Sequence, residues 1–332
     1  MTKQTLKNFL LASGLFGLAL ISSTGWAQVG LGPRLPGKQP ATAAAQAANH
    51  QAKTPGPSYT YTLLSFPGSL STTAISINPG ATTSKIEIVG IAGQDGILAS
   101  VSLKKTVTET YKAVNYPHAA GQGGTQGVND LGQIVGIYID GSGTYHGYKL
   151  SGGRFTTLDV PFAGATATFA YGINNSGEVV GGWIDSDRSG HGFTLTEGTY
   201  ASFDFPGGND TQAFSINSAG DMVGPYNDAS GITHGFLLSG GTFTSIDFPG
   251  ALASLAGGIN DSGEIVGDYC ATNECAATDD WNDGFLLSEG VFTTIAIPGE
   301  IYTIAQNINN NGVVVGFYQD AAGLAVSFLA TP

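Results

Sequence analysis

The stretch Gly258-Ile259-Asn260-Asp261-Ser262-Gly263-Glu264-Ile265-Val266-Gly267 reads as two short strands joined by a tight turn. Ile259 and Ile265-Val266 are β-branched, and Asn260 to Gly263 is turn chemistry built from residues that tolerate positive φ. The pattern Gly/Ser-Ile/Val-Asn-x-x-Gly-x-apolar-Val-Gly recurs at 127–136, 172–181 and 215–224. A further copy runs from Asn307 to Gly316, and a stretched one begins at Ser76-Ile77-Asn78 and ends at Val89-Gly90. The six turn Asn residues lie 51, 45, 43, 43 and 49 residues apart, a period that marks a repeat architecture.

Two further patterns share that period. Phe-Thr-x-Leu/Ile-Asp-Phe-Pro-Gly occurs clearly at 155–161, 200–207, 243–250 and 292–299, and loosely at 61–68 and 111–117. His-Gly-Phe/Tyr occurs at His146, His191 and His234, becomes Asp283-Gly284-Phe285, and has outlying matches at Ala99-Ser100-Val101 and Val326-Ser327-Phe328. Each unit therefore holds four strands. Strand a ends in Ile-Asn, strand b in Val-Gly and a few more residues, strand c is Gly-Phe-Leu-Leu, and strand d stops at Pro-Gly because Pro cannot donate within a sheet. Strand d alternates in period 2, as Phe243, Ser245 and Asp247 against Thr244, Ile246 and Phe248.

Six four-stranded units predict an all-β fold, a six-bladed β-propeller over residues 59–332. An open solenoid is the competing architecture, and the chain ends separate the two. The repetitive region starts with a strand d (Tyr61–Phe66) and finishes with strands a, b and c (306–329), so the ends together make one blade. That suits a ring closed by the N-terminal strand, whereas a solenoid would need polar caps. Ser76, Gly127, Gly172, Ser215 and Gly258 are small where inner strands crowd the axis, with Asn307 the exception. The Ile or Val before each turn Asn is expected to pack between blades, where burial contributes about 25 cal/mol per Å².

Composition agrees. Gly accounts for 50 of 332 residues and charged residues for 11 %, well below the roughly 25 % of an ordinary domain. The net charge of −13 and the scarcity of adjacent basic residues, only Lys104-Lys105, exclude nucleic-acid binding and docking on anionic lipid. Residues 1–27 read as a signal peptide: Lys3 and Lys7, an apolar run from Phe9 to Ile21, then Gly25-Trp26-Ala27. The apolar run is short of the ~20 residues a membrane span needs, so no span is expected after cleavage. Residues 28–58, rich in Pro and Ala, read as a linker. Export places Cys270 and Cys275, the only cysteines, in an oxidising compartment and suggests a local disulfide. The expected product is a secreted monomer.

The motifs Asn-Asp-x-Gly-x-Ile-Val-Gly and His-Gly-Phe-Leu-Leu resemble the HAF family of extracellular repeats, across residues 59–331. Gly stands where that family's tripeptide has Ala. The resemblance implies secretion and repeat architecture and assigns no catalytic residue.

In such a ring the a–b and c–d turns share one face, and the b–c loops and d–a links share the other. The second set reads as longer and more variable, so that face is the expected site of binding. Its largest b–c loop, Cys270 to Asp283 in blade 5, brings Trp281 among Asp279, Asp280 and Asp283, which suits stacking on a sugar or meeting a cation. In blade 3, Asp185 and Asp187 alternate like the start of a calcium loop but lack its later ligands. His146, His191, His234, Asp159, Asp204 and Asp247 follow the repeat and are expected to be structural. Polar residues that break it, Gln126, Tyr171, Asp210, Gln212 and Gln306, are expected on the pore side.

No nucleophile elbow, zinc-protease motif or phosphate loop is present. The first functional reading is a secreted, non-enzymatic binding module for an extracellular glycan or protein. The alternative is a propeller hydrolase or lyase acting on polysaccharide, which needs carboxylates converging near the pore. A purely structural surface role is the third. No cofactor is called for beyond the calcium suggestion.

Overall fold

A computed structural model describes residues 58–332 apart from 83–84, 105–106, 118, 121–122, 273–280, 282 and 301. The signal segment, the linker to residue 57, Asp279, Asp280 and Cys275 therefore lie outside the described residues. The described strands form six antiparallel sheets of four. Blade 1 is β2 (Thr72–Ile77), β3 (Ile86–Ala92), β4 (Asp95–Ser102) and β5 (Thr108–Ala113). Blade 2 runs from β6 (Gly124–Val128) to β9 (Arg154–Leu158), and blade 3 from β10 (Ala167–Ile173) to β13 (Thr199–Phe203). Blade 4 runs from β14 (Ser215–Ile216) to β17 (Thr242–Ile246), and blade 5 from β18 (Ala253–Ile259) to β21 (Val291–Ile295). Blade 6 takes β22 (Thr303–Ile308), β23 (Val314–Gln319) and β24 (Ala325–Thr331) from the C-terminal end and β1 (Thr60–Leu64) from the other. Thr60 pairs with Thr331 and Leu64 with Ser327, so the protein is a six-bladed β-propeller closed by its first strand.

The blades are joined by a recurring apolar contact. The Ile or Val before each turn Asn packs with the strand-b Val of the preceding blade: Val128 with Val89, Ile173 with Val135, Ile216 with Val180, Ile259 with Val223, and Ile308 with Val266. Ile77 with Val315 closes the circle. All six Val residues are fully buried. The Gly after that Val has a separate reason. A Cβ on Gly181 would lie 1.9 Å from the carbonyl oxygen of Phe169, so only Gly lets strands a and b meet there. At this close approach strand a bulges, skipping Gln126, Tyr171, Gly257, Ile75 and Gln306 in the pairing register of five blades.

Three expectations are corrected. The turn Asn does not supply positive φ; that falls to the Gly three residues on, as at Gly177 (φ 84°). Asn174 instead clamps its turn, its Oδ1 accepting from the backbone N–H groups of Ser176 and Glu178, both at 3.1 Å. In blade 1, Gly90 pairs with Ile97, so Asp95-Gly96-Ile97 is its His-Gly-Phe equivalent, not Ala99-Ser100-Val101. The connection from β3 to β4 is only two residues, which brings the motif earlier. Nor are the b–c loops all variable. In four of them an Asp Oδ1 accepts from the N–H groups two and four residues on: Asp140, Asp185, Asp228 and Asp320.

Candidate functional site

On the outer half of the b–c/d–a face, the recurring motifs assemble into columns. The aromatic residue ending strand d of one blade packs on the strand-b aromatic of the next, whose other face stacks on the strand-c His. Tyr116 stacks on Tyr138 with ring centroids 3.8 Å apart, and Tyr138 on His146 at 4.9 Å. Phe205, Tyr226 and His234 repeat this at 3.6 and 5.2 Å, and Phe162, Trp183 and His191 at 5.1 and 4.5 Å. Each imidazole is then held at both nitrogens. Nδ1 faces the strand-d carboxylate: Asp159 at 2.8 Å, Asp204 at 2.9 Å and Asp247 at 2.7 Å. Nε2 faces the turn carboxylate, Asp140, Asp185 or Asp228, at 3.4 to 3.6 Å. These His and Asp residues are structural, as their periodicity implies.

The same geometry redefines Asp185 and Asp187. One oxygen of Asp185 caps its own turn and the other faces His191 Nε2 at 3.4 Å. The N–H of Ser189 and the other turn contacts hold the Asp185 carboxyl below the ordinary range. Asp187 gives its backbone N–H to that turn. Arg188 sits at φ 73°, where the equivalent turns of blades 2, 4 and 6 have Gly143, Gly231 and Gly323.

The bulged strand-a residues line the axis. Gln126, Tyr171 and Gln306 share one small axial cavity with Ile75, Phe214, Gly257 and Asn307, as expected of pore-side residues. Gln126 is buried, and its Nε2 has no hydrogen-bond partner among the described residues. Gln212 and Asp210 are elsewhere. Gln212 is buried between blades 3 and 4, its Cγ occupying the space left by Gly182. Asp210, at φ 52°, accepts from Gly190 N–H at 2.9 Å and from Asn227 Nδ2 at 3.2 Å, tying blade 3 to blade 4. Gln212 N–H and Phe214 N–H still bond to the Pro225 and Val223 carbonyls of strand b, so Gln212 keeps a strand-a place with its side chain turned between blades, and Phe214 takes the axial position. The other axial cavity, at the a–b turns, includes one carboxylate, Asp261, which Ser218 N–H and Asn310 Nδ2 hold at 2.8 and 2.7 Å. A hydrolase anchored on Asp210 at the pore thus loses its anchor.

Blade 5 departs from the columns. Phe248 still stacks on Tyr269 at 3.8 Å, but Asp283 replaces His, and Ala296 stands at the strand-d Asp position. Asp283 is buried, and the Tyr269 hydroxyl donates to it at 3.5 Å. Trp281 is half-buried rather than exposed. It packs on Tyr302, Ile304, Phe317 and Ala325, all of blade 6 or its lead-in, so the blade 5 insertion ends across the neighbouring blade. Cys270 is buried at the end of β19 (Ile265–Cys270).

The same joint holds Asp268, which is absent from the sequence-based candidates. It is buried, and its Oδ1 accepts from the Ala305 N–H of blade 6 at 2.8 Å. Burial pushes its carboxyl well above the ordinary range, and the charge of Asp283, on the other face of the sheet, adds to that. The signal lay in the repeat: the residue after the strand-b Gly is Ile91, Ile137, Gly182, Pro225 and Phe317 in the other blades.

No protein-family model matches the chain, and no curated protein matches it. Among solved structures it is similar to AofleA from Arthrobotrys oligospora, at 11 % identity over 82 % of this chain and 87 % of that one, TM-score 0.48. It is also similar to the fungal lectin of Aleuria aurantia, described as a six-bladed β-propeller with a novel fucose recognition mode, at 11 % identity over 77 % and 91 %, TM-score 0.46. YjhT is 14 % identical over 80 % and 97 %, TM-score 0.47.

Proposed function

We propose that the protein is an exported, non-enzymatic binding module that meets an extracellular glycan or protein on its b–c/d–a face, centred on the joint of blades 5 and 6. The observation that carries this reading is where the repeat breaks. The recurring Asn, His and Asp side chains are engaged in holding turns and blades together. At the blade 5–6 joint the column loses its His and strand-d Asp, the longest b–c loop begins, and Trp281 reaches across to the next blade. A partly exposed Trp281, preceded in sequence by Asp279 and Asp280, would offer an apolar surface and acceptors for sugar hydroxyls. A rigid ring under a variable loop is the usual layout of a binding face. Export rests on Lys3, Lys7, the Phe9–Ile21 run and the likeness of the repeats to HAF extracellular repeats. The small loop between Cys270 and Cys275 would then be closed by a disulfide.

Residues 28–332, immobilised, are to be probed with a printed array of mono-, oligo- and polysaccharides, α-L-fucosides included. Saturable binding to one class, competed by the free sugar, is expected. Binding to no glycan, together with no protein retained from an extracellular fraction, would remove the reading.

A further inference from the structure

Hydroxyl and amide side chains such as Thr125, Gln212 and Ser327 sit where blades meet, and between blades 5 and 6 a buried carboxylic acid, Asp268, takes such a place. Its neighbours on that face are Gly284, directly opposite it on β20 (Asp283–Ser288), and Ala305 on β22. Gly284 lies so close to blade 6 that an added Cβ would meet the Ala305 Cβ at 2.7 Å. A joint this tight has no room for the water that an ionised carboxylate needs. Among the described residues Asp268 accepts one side-chain hydrogen bond, from Ala305 N–H, which favours the anion but is outweighed by burial.

We propose that the joint between blades 5 and 6 is a pH-sensitive latch, closed while Asp268 is a neutral acid and loosened when it ionises, so that Trp281, which packs on Ile304 beside the Asp268 partner Ala305, is released at higher pH. Regulation of binding by this latch rests on the reading of the joint as the binding site; the latch itself does not.

The surroundings make Asp268 the group that responds. β18 and β22, packed on either side, contain no titratable or charged residue. β20 contributes Asp283, whose side chain is on the opposite face of the sheet with Tyr269, and whose negative charge opposes a second charge nearby. No cation faces Asp268 from any of these strands to offset ionisation. The direction follows. The unfolded chain releases this proton in the ordinary carboxylate range, and the folded chain holds it to higher pH. Between those two values the unfolded form has fewer protons, so folding weakens as pH rises.

The test compares the wild-type protein with Asp268→Asn, in which an amide oxygen still accepts from Ala305 and no charge can form. The ratio of their folding equilibrium constants, from urea titrations, is expected to move about tenfold per pH unit against the wild type from pH 4 upward, until Asp268 ionises. With Trp183→Phe in both, fluorescence of the exported chain reports Trp281, and acrylamide quenching is expected to rise with pH in the wild type alone. A ratio independent of pH overturns the proposal. Should Asp268→Asn fold poorly, infrared spectra of the wild type decide. A protonated-carboxyl band that persists at neutral pH supports the latch, and its absence overturns it. None of these readings uses a ligand, so a glycan mapped to another face would remove the binding site and leave the latch standing.

Discussion

The side-chain Nδ2 of Asn174 donates to the backbone carbonyl of Asn217, 43 residues further on, at 3.2 Å. Asn129 does the same to Asn174 at 2.9 Å, Asn217 to Asn260 at 3.2 Å, and Asn260 to Asn309 at 3.1 Å. One residue type thus clamps its own turn with Oδ1 and ties each blade to the next with Nδ2. The chain of contacts breaks at the ring closure. Asn309 Nδ2 has no partner among the described residues, and Asn78 turns to Asp130 at 2.7 Å instead.

Asn174→Ala removes both the clamp and the tie and leaves buried groups unpaired, so a loss of about 2 kcal/mol is expected in urea denaturation. Asn309→Ala removes only a clamp, and roughly half that loss is expected. Equal losses at the two sites would show that the tie contributes nothing.

Gly181→Ala places a methyl group 1.9 Å from the Phe169 carbonyl oxygen. Backbone on both sides cannot yield, and destabilisation of about 3 kcal/mol or more is expected. Melting within a degree of wild type would contradict the close approach of strands a and b.

Arg188→Gly is expected to stabilise. An L side chain at φ 73° is strained by about 1 kcal/mol, and three equivalent turns already use Gly. A lower Tm for the variant would mean that the Arg188 side chain makes a stabilising contact.

Calcium is not expected to shift the Tm, because the loop after Asp185 and Asp187 lacks the later acidic ligands of a calcium loop and its turn is closed by its own N–H groups. A rise that Asp187→Asn abolishes would contradict this.

The ring was legible because its period is written in Asn, His and Pro-Gly at fixed intervals, and because the split final blade shows how the ends meet. Roles were harder to read than positions. Asn looked like a turn residue because it also tolerates positive φ, while its tie to the next blade is a contact across 43 or more residues. Asp140, Asp185 and Asp228 are as periodic as the His residues they face, yet they sit in loops whose intervening residues differ, which hid the shared turn. Gln126, Tyr171 and Gln306 were found at the axis because the repeat fixes the inner strand; Gln212 was not, because Phe214 holds the equivalent place in blade 4, and Asp210 lies in the link before that strand. The packing of Trp281 on blade 6 was not legible, because spacing alone does not show which neighbouring blade a side chain reaches. Asp268 needed a comparison of one column across blades, where an acid replaces apolar residues or Gly.

The most direct measurement of the binding reading compares two loops of the same face. Affinity for the glycan or protein selected by residues 28–332 is to be measured for the wild type, for Asp279→Asn combined with Asp280→Asn in blade 5, and for Asp187→Asn combined with Arg188→Gly in blade 3. The blade 5 pair is expected to weaken binding at least about tenfold, the scale of losing one charged contact, and the blade 3 pair to leave it unchanged. Binding that survives the blade 5 substitutions and is lost with those in blade 3 would contradict the placement of the site at the joint of blades 5 and 6.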